Sequence, residues 1–216
     1  MAEPRHAHHF VSFDQQVVAA RLGMWIFLGS ESLLFAALFG LYASYRAEDT
    51  AAFVEGMRHM AHDLGAINTL ILLTSSLVAA LGLEALEHDQ RRLATLLAAL
   101  TAALGIAFLV IKGVEYAEHI RDGMIPGGHG SAFYVAHPER GLPVFVTLYF
   151  LMTGLHAAHV TAGVTILLWL CVSVARGKIT AERHHPFELG VLYWHLVDTL
   201  WVFLWPMFYF AGPAGS

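Results

Sequence analysis

The chain has 216 residues, 57% of them hydrophobic and only 13% charged, with a mean hydropathy of +0.58. Soluble domains carry about a quarter charged residues, so this composition points to lipid as the main solvent. A net charge of −5 gives no basic patch for nucleic acid, and a single cysteine, Cys171, excludes an internal disulfide framework and any CxxC metal knuckle.

Residues 1–15 form a polar tail with no apolar core behind a basic start, so no cleaved signal peptide is expected. His6, His8 and His9 belong to that tail, and a polar tail is the preferred reading over a metal site. A helix rises about 1.5 Å per residue and crosses about 30 Å of hydrocarbon, so a span needs about 20 apolar residues. Five stretches qualify: 22–45, 66–86, 93–114, 144–174 and 189–209.

The first is interrupted only by Glu31 and is followed by an acidic connection, 46–63, read as a long loop. The second opens with Asn68 and Thr69, which suit hydrogen bonds between helices, and leads through a tight turn, 87–92, into the third. The third ends in Lys112, Glu115 and His119, spaced i, i+3 and i, i+4 as a charge cluster near the interface. Residues 118–143 are rich in Gly and Pro and read as an irregular surface loop.

The fourth span places His156 and His159 on one face, with Gly163 a further turn along and Gly and Ala allowing close packing. Two histidines can begin a metal site but need a third or fourth ligand, so hydrogen bonding between helices is the preferred reading. A basic connection, 175–186, precedes the fifth span, whose start suits Pro186 and Glu188. In that span His195 and Asp198 are spaced for a pair within the helix. Trp194, Trp201 and Trp205 lie in a helical stripe with Asp198, and Pro206 is expected to kink the end or mark where the chain emerges.

The expected fold is therefore all-α: a single membrane bundle of five transmembrane helices over residues 1–216. Five is odd, and the chain shows no internal period, which argues against an inverted-repeat transporter. Arg5, Arg21, Arg91, Arg92, Arg176, Lys178 and Arg183 fall on one side, against Arg46, Arg58, Arg121 and Arg140 on the other. That asymmetry predicts an inside N-terminus and an outside C-terminus. A charge at mid-bilayer costs a few kcal/mol, so buried ionisable residues face partners. For Glu31 two readings stand side by side: a protonated carboxyl bonding helix to helix, or a functional one.

The segments GSESLLFAALF (29–39), INTLILLTSS (67–76), KGVEYAEHI (112–120), LYFLMTGLHAAHV (148–160) and YWHLVDTLWVFLW (193–205) together resemble subunit III of the haem–copper terminal oxidases, in that family's order and over residues 13–210. The chain is similar to the shorter, five-helix bacterial members. Longer members have seven helices and a lipid-filled cleft between the first two and the rest, and this chain begins at what resembles their third.

The resemblance implies a non-catalytic subunit in the bacterial cytoplasmic membrane, without haem, copper or other metal of its own, and with phospholipid as a companion. It implies packing against catalytic subunit I and subunit II, where haem and copper reside. Cytochrome c or another donor would deliver electrons indirectly, and the subunit would stabilise oxygen reduction and assist proton uptake. Glu31 takes the position of the family's buried helix carboxylate, and Glu115, His156, His159, His195 and Asp198 fall on its other polar positions. An accessory subunit of a nitric oxide reductase or of a quinol oxidase is a homologous alternative. A stand-alone membrane metalloprotein or a proton channel is an alternative of a different class.

Overall fold

A computed structural model describes residues 13–128 and 130–210, so the His6, His8 and His9 cluster lies outside the described residues. Among the described residues all regular structure is helical. Helix α1 (Phe13–Glu48) is followed by the short α2 (Thr50–Arg58), α3 (His62–Glu87), α4 (Arg91–Arg121), the short α5 (Ala132–Ala136), α6 (Leu142–Ala175) and α7 (His185–Tyr209). The five long helices are each long and apolar enough to cross a membrane, and the five apolar stretches of the sequence lie within them. The helices outrun those stretches. At 36 residues, α1 extends about 54 Å, well past a hydrocarbon core of about 30 Å.

Helices α3 and α4 form a tight antiparallel hairpin. Its turn passes through Asp89, whose φ of 56° lies in the left-handed region. Helix α6 packs along α4, and α7 sits against α3 and α6. Together these four helices enclose the core. Trp194 of α7 fits the space left by two glycines: a Cβ on Gly105 of α4 would lie 2.6 Å from the indole, and one on Gly163 of α6 would lie 2.7 Å from it. Small residues at such crossings let helix backbones approach, the main source of association where lipid offers no hydrophobic gain.

Helix α1 lies outside this group. Only 11% of its most apolar window is buried, and Trp25, Ile26 and Leu33 point outward. It touches α6 and α7 through Leu28, Phe35 and Tyr42, which are buried, and the Tyr42 hydroxyl donates to the Met207 carbonyl.

Two connections differ from their sequence reading. The acidic segment 46–63 is no loop: it carries α2, which buries Ala52, Phe53, Gly56 and Met57 against α6. Asp49 caps this helix, accepting from the Ala52 N–H at 3.1 Å, while its second carboxylate oxygen accepts from the Gly141 N–H at 3.1 Å. One carboxylate thus joins the end of α1 to the start of α6. The segment 118–143 is irregular only in part, because α4 continues to Arg121, α5 forms, and Met124, Phe133 and Tyr134 turn inward. Pro206 lies inside α7, which continues to Tyr209. Cys171 is half-buried, and its thiol donates to the Thr95 carbonyl at 3.6 Å.

Candidate functional site

Three groups of polar side chains lie between the helices. The most deeply buried joins α4, α6 and α7. Lys112 and Glu115, one turn apart on α4, are 3.1 Å apart with side chains 3% and 0% exposed. The Lys112 ammonium also donates to the hydroxyls of Tyr149 at 3.0 Å and Tyr209 at 2.7 Å. Both phenols in turn donate to Oε1 of Glu115. Each of the ammonium's three donors therefore has an oxygen, and the carboxylate has a donor on either oxygen. His119 approaches the same Oε1 at 3.6 Å. The sequence spacing showed the Lys112–Glu115–His119 row on α4. It did not show Tyr149 and Tyr209, which come from 34 and 94 residues further along.

The second group links α1 to α6. Glu31 Oε2 lies 2.9 Å from Nε2 of His159, and the two side chains are 19% and 14% exposed. His159 Nδ1 is 2.8 Å from the Leu155 carbonyl, which can only accept, so Nδ1 carries a proton. Nε2 and Oε2 then share a single further proton. Either a neutral imidazole accepts from a protonated Glu31, or an imidazolium donates to a carboxylate, and the hydrogen bond survives in both states. Phe35 meets the ring edge-on at 5.5 Å, and the Tyr193 hydroxyl donates to the His159 carbonyl at 3.1 Å.

The third group lies where α7 faces α3 and α6. His195 does not pair with Asp198. Its Nδ1 is 2.7 Å from the Ser76 hydroxyl of α3, because its helix face turns toward that neighbour. Trp194 donates to Ser75 at 3.1 Å and Trp201 to Thr69 at 3.0 Å, so two of the three indoles of the stripe reach α3. The carboxylate of Asp198, both ring nitrogens of His156, the Asn68 amide and the Trp205 N–H are buried without a hydrogen-bond partner among the described residues. For His156 the expected interhelical hydrogen bond is not formed. Its ring instead stacks on Trp201, with centroids 5.2 Å apart, and meets Phe108 edge-on. The six residues singled out from the sequence are thus split among the three groups, not gathered at one centre.

At the end of the bundle where α3 stops and α7 starts, a cavity of about 340 Å³ is lined by Glu84, Glu87, Glu188 and His195. Arg21 of α1 pairs with Glu188 at 2.8 Å there, fixing the starts of α1 and α7 at the same end.

A family profile described as cytochrome c oxidase subunit III matches residues 6–213. The chain belongs to that family. Subunit III of cytochrome c oxidase from Alkalihalophilus pseudofirmus is 32% identical over 197 residues, 90% of this chain and 87% of the relative. The corresponding subunit from Thermostichus vulcanus is 31% identical over 205 residues, 94% of this chain and 90% of the relative. Quinol oxidase subunit 3 of Bacillus spizizenii is 25% identical over the full length of both chains. Membership of the subunit III family makes this membrane protein part of an oxidase complex whose haem and copper sit in other subunits.

Proposed function

We propose that this chain is a non-catalytic subunit III that packs against catalytic subunit I and subunit II and supports their oxygen reduction and proton pumping. The observation that carries this reading is where the ionisable side chains go. Lys112 and Glu115 are enclosed with two tyrosines, and Glu31 and His159 bind each other across α1 and α6. These charges hold helices together, which suits a supporting role. Glu31, Glu115, His159 and His195 accordingly act as hydrogen-bonding residues, and His156 and Asp198 as packing residues of the same interfaces.

The proposal extends to proton uptake and lipid. The acidic cavity at the start of α7 reaches His195, whose ring bonds Ser76, and this gives protons a place to gather on one face of the bundle. The outward apolar face of α1 suits phospholipid tails or the flank of a larger subunit. The N-terminus faces the bacterial cytoplasm and the C-terminus faces out. The arginine asymmetry supports this, while the Arg21–Glu188 pair places the starts of α1 and α7 at one end of the bundle. The whole chain acts as one transmembrane domain.

The test is purification of the native complex from gently solubilised membranes, with haem types read by spectroscopy. The expected result is co-purification with a haem-containing large subunit that reduces oxygen. Recovery of the chain alone, or with a nitric oxide reductase, overturns it. The similarity to a quinol oxidase subunit makes quinol a second candidate donor to the complex, and the same preparation decides it by oxidation of quinol or cytochrome c.

A further inference from the structure

At the end of the bundle opposite the acidic cavity, Glu55, His59 and His137 each place one ligand atom within 4.8 Å of the others. Glu55 belongs to α2, and His59 is the residue that ends it. His137 ends α5. The two rings lie with centroids 4.6 Å apart and planes at 79°.

Their orientation is set by the helices that carry them. His59 Nδ1 is 2.9 Å from the Glu55 carbonyl, and His137 Nδ1 is 3.0 Å from the Phe133 carbonyl, four residues back in each case. A carbonyl can only accept, so both Nδ1 atoms carry protons and Nε2 on each ring keeps its lone pair. Metal-binding histidines are commonly prepared in this way, with the second nitrogen donating to a backbone carbonyl. Phe133 packs on both rings, at 5.3 Å from His59 and 4.9 Å from His137. Glu55 divides its carboxylate: Oε2 is held by Arg58 at 3.2 Å, while Oε1 lies 3.7 Å from His59 Nδ1. All three residues are half-buried, so an ion reaches them from water.

We propose that Glu55, His59 and His137 bind a divalent transition-metal ion of the zinc class. Two imidazoles and one carboxylate with water in the fourth position is an established zinc donor set. The ion ties α2 to the segment between α4 and α6 and has no part in electron transfer. A second group, His184, His185 and Glu188, is less suited, because Glu188 is already paired to Arg21 at 2.8 Å.

The experiment takes the detergent-purified complex, strips it with chelator, titrates it with zinc chloride and counts bound zinc by mass spectrometry. Wild type is expected to retain one zinc more per complex than His59→Asn/His137→Asn. Each single change is expected to weaken binding at least about tenfold. Arg58→Gln, at an exposed residue, is expected to tighten it by removing the cation that competes for Glu55. Zinc is also expected to slow hydrogen exchange of residues 122–141 in the unaltered protein. Equal zinc content in wild type and the double variant overturns the proposal, as does unchanged exchange in that segment on adding zinc.

Discussion

Glu115→Gln tests how the buried cluster is held together. The amide keeps the shape of the carboxyl and still accepts from a tyrosine, but Lys112, 3% exposed, loses its counter-charge. Removing one partner of a buried ion pair typically costs about 3–5 kcal/mol. Here the ammonium retains oxygens of Tyr149 at 3.0 Å and Tyr209 at 2.7 Å, so the low end, about 3 kcal/mol, is expected. Lys112→Met should cost a similar amount, because it leaves the buried carboxylate with two neutral phenols and the more distant His119. The double variant removes both charges and should cost much less than the sum, giving a coupling of about 2–3 kcal/mol, whereas independent sites add to within about 0.5 kcal/mol. The assay is SDS-induced unfolding of the detergent-solubilised protein across wild type and the three variants. Additivity of the two single changes would refute the claim that Lys112 and Glu115 stabilise each other.

Other expectations follow from the same contacts. Glu31→Gln should leave α1 docked, because an amide N–H donates to the unprotonated His159 Nε2; Glu31→Leu should loosen it by about 1–3 kcal/mol, seen as faster proteolysis of α1. Equal proteolysis of the two variants would contradict the shared-proton geometry. His156→Phe preserves the stack on Trp201 and should shift stability by less than about 1.5 kcal/mol, whereas His156→Ala opens a cavity worth about 2–4 kcal/mol. Equal losses would mean that the ring nitrogens have a partner after all. Gly105→Ala should cost about 1–3 kcal/mol by pressing on Trp194, while Gly113→Ala, whose Cβ meets nothing within 4 Å, should be neutral or slightly stabilising in the same unfolding assay. Outside the spans, burial raises the pKa of Tyr134, whose hydroxyl donates to the Ile125 carbonyl at 2.9 Å. The neutral phenol is the form the fold favours. Its contribution is complete below the unfolded value of about 10 and is lost as pH rises through the higher folded value, so exchange protection of 122–141 should fall only above about pH 10, and not in Tyr134→Phe.

The spans were readable because membrane thickness imposes a length, and a run of apolar residues reports that length directly. Helix α2 was hidden by its composition. Its charges suggested a loop, although Asp49 followed by Ala52, Phe53, Gly56 and Met57 on one side is an N-cap before an amphipathic turn. At the polar groups, spacing within a helix revealed which residues share a face but not what that face meets. Lys112 and Glu115 are three residues apart and pair. His195 and Asp198 have the same spacing and do not, because Ser76 of α3 stands in front of the imidazole. Glu31 and His159 are 128 residues apart, and only the approach of α1 to α6 brings them together.

The slot for Trp194 has a consequence for how the protein is made. Its walls, Gly105 and Gly163, belong to helices that leave the ribosome before α7, and synthesis proceeds from the N-terminus at about 5–20 residues per second. The indole is therefore made after both of the walls it packs between. A chain interrupted before residue 185 would lack the indole that fills the space between Gly105 and Gly163, so α4 and α6 would face each other across a gap.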